Sequence, residues 1–238
     1  LSLYGKFLMF RKFFIFLLKV SFALFLSSII IVAIYTIISP PITPLMILRT
    51  IEYALSGEEI RLKKNWTSYE DINRKVFKAL VAAEDARFMR HKGFDWKAIE
   101  AAQRYNERMK GKKKRGASTI SMQTAKNVFL WHGRNYIRKG LEAYFTVLIE
   151  AVWGKKRILE IYANVIEWGY GIYGVEAAAE YYFGKSTKEL STYEIALLAA
   201  VVPNPRRWDA GNPTPYIRKR ANWIIGRMNS VAIPKAEE

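Results

Sequence analysis

Residues Val20 to Ile38 constrain this chain most, because they read VSFALFLSSIIIVAIYTII without a single charge. As a helix rising ~1.5 Å per residue they reach roughly 28 Å, enough for the ~30 Å hydrocarbon core of a bilayer. The stretch therefore predicts a transmembrane anchor. The apolar run extends back to Phe13 with Lys19 inside it; that ammonium snorkels, or the span starts after it. Lys6, Arg11 and Lys12 precede the span, and short flanks rich in Lys and Arg stay cytoplasmic. The body of the chain is expected outside the cytoplasm. A cleavable signal peptide is the rival reading. Its apolar core is ~7–15 residues long and ends in a small-x-small site, which Tyr35-Thr36-Ile37-Ile38 does not offer. An uncleaved anchor is favoured, and the missing initiator methionine points to a trimmed or unusual start.

Ser39-Pro40-Pro41-Ile42-Thr43-Pro44 stops the anchor helix and makes a stiff exit. The expected organisation is a cytoplasmic tail (1–12), an anchor (13–38), a juxtamembrane segment (39–68) and one folded domain (69–232). The domain reads as mostly α, with helices near 69–84, 95–107, 119–130, 135–152, 155–167, 173–183, 191–201 and 214–230. Leu159, Tyr162, Ala163 and Ile166 keep helical spacing. Ser191-Thr192-Tyr193-Glu194 forms a capping box pattern, and Pro203 and Pro205 end the helix that follows. Lys110 to Gly116 is a basic loop that, taken alone, is a solvated charge run. No long alternating strand pattern and no internal repeat is present.

The net charge of +17 suits nucleic acid, an anionic membrane surface or a phosphate-bearing substrate. No zinc-finger spacing, nucleic-acid aromatic motif or basic heptad helix occurs, so no nucleic-acid partner is expected. Beside an anchor, anionic lipid is the natural partner. Cysteine is absent, which excludes disulfides and cysteine metal sites. His91 and His132 are the only histidines and do not form a ligand pair; His91 is expected to buttress the loop beside Glu84. The Ser-x-x-Lys, Lys-Thr-Gly, Gly-x-Ser-x-Gly and P-loop patterns are missing too.

Three constellations remain. Glu84 and Asp85 close the apolar run Val76–Ala83. Alone they read as a surface ion pair with Arg87 or Arg90. The alternative is a partly desolvated general base. Adjacent helical residues point about 100° apart, so only one can aim into a cleft; Glu84 is assigned there and Asp85 supports it. Next, Gly116-Ala117-Ser118-Thr119 precedes a helix carrying Gln123, Lys126 and Asn127 on one face. It is an ordinary capped helix or an anion-friendly helix N-terminus. Third, Arg134, Arg138 and Glu142 follow i, i+4, i+8 beside Lys139. They form a surface salt-bridge ladder or a cationic wall for a pyrophosphate, to which the planar fork of arginine is suited.

In order, EDARFMRHKGFD, GASTISMQTAKNVFL, RKGLEAYFTVLIE, KKRILEIYANVIEWG and GVEAAAEYYFGK resemble the peptidoglycan glycosyltransferases (glycosyltransferase family 51), over roughly Val76 to Pro205. Absence of a transpeptidase module makes the chain similar to the monofunctional members. The resemblance implies a mostly α, lysozyme-like fold with a head and a membrane-facing jaw. It implies polymerisation of lipid II into β-1,4-linked glycan strands, with inversion and release of undecaprenyl pyrophosphate. Carried over, Glu84 is the general base. Glu142 sits at the donor side and organises the pyrophosphate with Lys126, Arg134, Arg138 and Lys139, with a divalent cation such as Mg2+ as an optional companion. Ser118, Thr119, Gln123 and Asn127 match cleft positions, and Asp85 joins them as a substrate-side residue. Asn164 and Glu176 hold the fold. The growing glycan chain, the membrane and other cell-wall synthesis proteins are the partners implied.

Two departures stand out. Met122 replaces the first of two usual glutamines and is expected to pack inward. Glu100-Ala101 stands where many members carry a basic residue, with Arg104 as the candidate substitute. The alternative activity is a membrane-bound lytic glycosidase, which also uses two carboxylates. A glycosidase needs a raised-pKa acid, whereas a departing pyrophosphate needs fixed positive charge, and the cations around Glu142 favour transfer. A non-enzymatic anchored scaffold explains the anchor and charge but not the ordered motifs.

Overall fold

The computed structural model describes residues 3–110, 115–133 and 135–235. It divides into two compact units, Leu1–Ile38 and Ser39–Glu238. The first is a single helix, α1 (Leu3–Ile34). Its segment Met9–Ile34 is, among the described residues, the one helix long and apolar enough to cross a membrane. The helix ends before the expected Ile38. Thr36 and Ile37 bond to carbonyls three residues back, the tightening seen in a terminal turn.

In the second unit, Thr43 caps α2 (Pro44–Ser56), with Pro44 at its start and Gly57 in a left-handed C-cap. This helix lies in the 39–68 segment, where the sequence reading placed no regular structure. The helices α3 (Arg74–Glu84), α4 (Trp96–Arg108), α5 (Ile120–Phe129), α6 (Tyr136–Val152), α7 (Gly154–Val165), α8 (Val175–Phe183), α9 (Thr192–Val201) and α10 (Pro215–Met228) follow. Most match the expected spans. Their starts are set by side-chain caps from Asn73, Asp95, Thr119, Asn135, Ser191 and Thr214. Ser191 and Glu194 make both bonds of the capping box.

Two helix boundaries are corrected. Glu167 and Tyr173 were expected in helices, but they belong to strands β2 (Glu167–Gly169) and β3 (Ile172–Tyr173). With β1 (Lys63–Lys64) they form a sheet ordered β1-β3-β2, parallel on one side and antiparallel on the other. Gly171 makes the hairpin possible: its φ is +66°, and a Cβ there would stand 2.2 Å from the Arg61 carbonyl oxygen. Strands of two or three residues are too short to show alternation in sequence.

Packing explains the helix order. The turns Ile195–Val201 of α9 are buried on every side, as an all-round apolar helix must be; α3 and α10 pack against it. The helix α5 is enclosed by α2, α6 and α7. Asn164, fully buried at the end of α7, accepts from the Thr67 amide and donates to the Thr67 carbonyl. Glu176 accepts from both the amide and the hydroxyl of Thr187. Both side chains tie the chain to itself.

Candidate active site

The loop after α3 is clamped to the start of α5. Asp85 is buried; its carboxylate meets His91 Nε2 at 3.0 Å and accepts the Ile120 amide at 3.0 Å. Ile120 opens α5, where a negative charge is favoured by the helix dipole. The anion-friendly helix start is thus filled by the chain's own carboxylate. Thr119 caps α5 and donates to the Gly93 carbonyl at 2.6 Å. Gly93, at φ +89°, lets the loop approach α6 so closely that a Cβ would meet Thr146 Cγ2 at 2.7 Å. Asp85 and Thr119, expected on the substrate side, border the opening beside Glu84, and their bonds to His91, Ile120 and Gly93 also brace the loop. His91 buttresses the loop as expected, and Arg87 pairs with Asp95 at 3.2 Å rather than with Glu84 or Asp85.

Glu84 ends α3. Its Oε2 accepts from Gln123 Nε2 at 3.0 Å, and Gln123 Oε1 accepts from the Tyr162 hydroxyl at 3.0 Å. Tyr162 is fully buried. Burial, then Glu84 and Asp85, hold its phenol well above the usual range, so it remains a donor and fixes which end of the Gln123 amide faces Glu84. Arg220 Nη2 of α10 lies 3.4 Å from Glu84 Oε1. Burial raises the Glu84 carboxyl above the usual glutamate range, while Gln123, Arg220 and Lys126 pull it back.

Glu142 is buried on α6. Its Oε2 accepts from Arg138 Nη1 at 2.6 Å and its Oε1 from Lys139 Nζ. Lys126 stands between the two glutamates electrostatically. Burial lowers its ammonium below the usual range, Arg138 and Lys139 add to that, and Glu142 and Glu84 oppose it. No side-chain hydrogen bond or ion pair involves Lys126 among the described residues. Arg134 lies outside the described residues, as does the stretch 111–114 of the basic loop.

Glu84 and Lys126 border two separate openings. One, of about 260 Å³, is bordered by Glu84, Arg87, Asp95, Arg115 and Ser118. The other, of about 220 Å³, is bordered by Gln123, Lys126, Asn127, His132, Arg49 and Glu167. Gln123 borders the second and bonds Glu84, which borders the first, so the two openings neighbour each other across that hydrogen bond. Ser118 borders the Glu84 opening and Gln123, Lys126 and Asn127 border the other, and Met122 is buried. Arg104 pairs with Glu100, both exposed, and does not substitute for a cleft cation.

Sequence reasoning missed Arg220, Tyr162, Arg49 and Glu167. The first meets Glu84 across 136 positions, a contact with no local signature. Glu167 accepts from the Tyr53 hydroxyl and the Gly171 amide, with Arg49 Nε at 3.8 Å; burial raises its carboxyl, and Arg49 opposes this. The Glu142 surroundings do not fit a protein-held metal. Both oxygens face cations, and among the described residues no three His, Asp or Glu side chains converge as ligands.

The family model described as Transglycosylase matches residues 53–229. A biosynthetic peptidoglycan transglycosylase of Bdellovibrio bacteriovorus is 49% identical over 222 residues, covering 93% of this chain and 88% of that protein. One from Pseudomonas fluorescens SBW25 is 48% identical over 206 residues, with 87% and 85% covered. One from Stutzerimonas stutzeri is 49% identical over 204 residues, with 86% and 84% covered.

Proposed function

The chain belongs to the transglycosylase family, and from that premise and the cleft we propose that it polymerises lipid II into peptidoglycan glycan strands, with Glu84 as the base. One observation carries the assignment of the base: a buried carboxylate whose proton affinity is raised, held by a neutral amide that Tyr162 orients. A base is most effective when its pKa approaches the working pH.

The acceptor lipid II enters on the Ser118 side with its sugar 4-hydroxyl toward Glu84. Glu84 takes the hydroxyl proton as that oxygen attacks the anomeric carbon of the growing strand. The new C–O bond forms as the bond to the lipid pyrophosphate breaks, and the configuration inverts. The departing pyrophosphate takes the electron pair and meets Lys126, Arg138 and Lys139, fixed charge that stabilises it, with Arg134 as a further cation. Glu142 keeps Arg138 and Lys139 in place. Glu84 returns its proton to water. The lytic reading is not favoured, since these cations serve a phosphate leaving group and not a protonated sugar oxygen. The helix α1 holds the enzyme in the membrane as a single span, with the amino terminus cytoplasmic and the cleft outside, where the lipid pyrophosphate is anchored too. The basic surface attracts anionic lipid.

The test is the product. Purified full-length protein given labelled lipid II should make muramidase-sensitive polymer and leave finished glycan uncut. Fragments cut from finished glycan, with no polymer from lipid II, would overturn the reading.

A further inference from the structure

Outside the cleft, four arginines gather around a further cavity. It measures about 890 Å³, and Arg49, Arg61, Arg206, Arg207, Tyr170 and Asn204 line it; pockets of about 300–1,000 Å³ hold small ligands. Arg206 lies 5.3 Å from the Tyr53 ring and 5.8 Å from the Tyr170 ring. Arg61 lies 5.9 Å from Tyr170 and 5.5 Å from Tyr181. Stacking on a ring leaves the edge of a guanidinium free to bind oxygens. Glu58 and Glu59 also line the cavity, the first 3.8 Å from Arg206 and the second 2.9 Å from Arg61. Arg49 is paired with Glu52 at 2.7 Å, so the positive charge left in excess is chiefly that of Arg207. Arg207 is exposed, and no side-chain partner is recorded for it among the described residues.

Position says what this excess charge meets. Arg49 lines both this cavity and the Lys126 opening. An acceptor on the Ser118 side blocks one direction. The sugars of a donor strand behind its reacting carbon must then run away from Glu84, past Asn127 toward Arg49. Peptidoglycan sugars carry stem peptides that end in carboxylates, and arginine binds carboxylate through two parallel bonds.

We propose that this cavity is a distal subsite for the growing strand, with Arg206 and Arg207 binding stem-peptide carboxylates and Tyr170 contacting the sugar–peptide unit. The proposal rests on the polymerase reading for its direction, but binding tests it independently. Titrating a lipid-free, stem-bearing tetrasaccharide into the full-length protein should give an affinity about tenfold weaker for Arg206→Gln/Arg207→Glu, the loss expected of a charge-assisted contact. Amidating the stem carboxylates should erase that difference. In turnover, the variant should couple two lipid II molecules as fast as the parent but make shorter strands and use a lipid-linked tetrasaccharide donor with a raised KM. Arg207→Glu alone should give the same pattern more weakly, which covers a folding defect in the double variant. Equal affinity of parent and variants for the fragment, or a difference that survives amidation, would overturn the subsite. A parent that binds the fragment yet makes no polymer would overturn the polymerase reading instead.

Discussion

Glu84 and Glu142 both act on the Lys126 ammonium, and their side chains are 13% and 4% exposed, yet they are held in opposite ways. Glu84 accepts a hydrogen bond from the neutral Gln123 amide on Oε2 and a long one, at 3.4 Å, from the Arg220 guanidinium on Oε1. Glu142 has Arg138 at 2.6 Å and Lys139 on its other oxygen. A carboxylate held by one neutral amide and one long cationic contact keeps lone-pair capacity to take a proton. One gripped by two cations has its lone pairs committed and serves to fix the cations. The difference teaches that burial alone does not define a base; the charge of the partners does.

Glu84→Gln is the hardest test of this contrast. Polymerisation should fall by about 10²–10⁴, the contribution of a positioned base. Stability should move the other way. A carboxyl whose folded pKa is raised contributes stability at acid pH that is lost as pH rises through the folded value. Replacing Glu84 removes that loss, so the variant should melt higher than the parent at pH 8 and lose the advantage at pH 4. A variant that polymerises at the parent rate would remove the base from Glu84.

Glu142→Gln should do the reverse on stability. It leaves Arg138 buried beside a neutral amide, and breaking a buried pair costs about 3–5 kcal/mol. Urea titration would measure it. The double variant Arg138→Met/Glu142→Leu should recover most of that stability without recovering polymerisation. A full-stability Glu142→Gln single variant would mean that the grip is not structural.

Arg220→Ala sharpens the comparison from the Glu84 side, with a smaller effect. Arg220 is one of the groups pulling the raised carboxyl back down. Without it the acid limb of the pH–kcat/KM profile should shift to higher pH, with up to roughly a tenfold loss far down that limb, and a smaller one above it, if the limb moves by about one unit. An unshifted limb would show that Arg220 acts on folding alone.

The helices that carry the cleft were legible because caps and apolar spacing are local, as Thr119, Asn135 and Ser191 show. Gln123, Lys126 and Asn127 were legible as one face for the same reason. What was not legible depends on distant partners. The clamp that Asp85 makes on the Ile120 amide has no local signal. Glu167 looked helical because its pairing with Tyr173, and that strand's pairing with Lys63–Lys64, lie outside any sequence window. The helix α2 was missed beside three prolines, although Thr43 and Gly57 mark both its ends.

Arg104 provides the smallest effect and the clearest limit on the comparison. By its place in the sequence it stood in for a missing donor-side cation. In the fold it forms an i,i+4 pair with Glu100, and both side chains are 62% exposed. Solvent screens such a pair to a few tenths of a kcal/mol, and nothing buries it toward Glu142 as Lys126 and Arg138 are buried. Arg104→Ala should therefore leave the urea midpoint nearly unchanged and polymerisation within about twofold. If polymerisation instead fell tenfold, with KM for the donor raised, an exposed cation would be acting on the pyrophosphate. Burial would then no longer separate the charges that serve Glu142 from those that merely cover the surface.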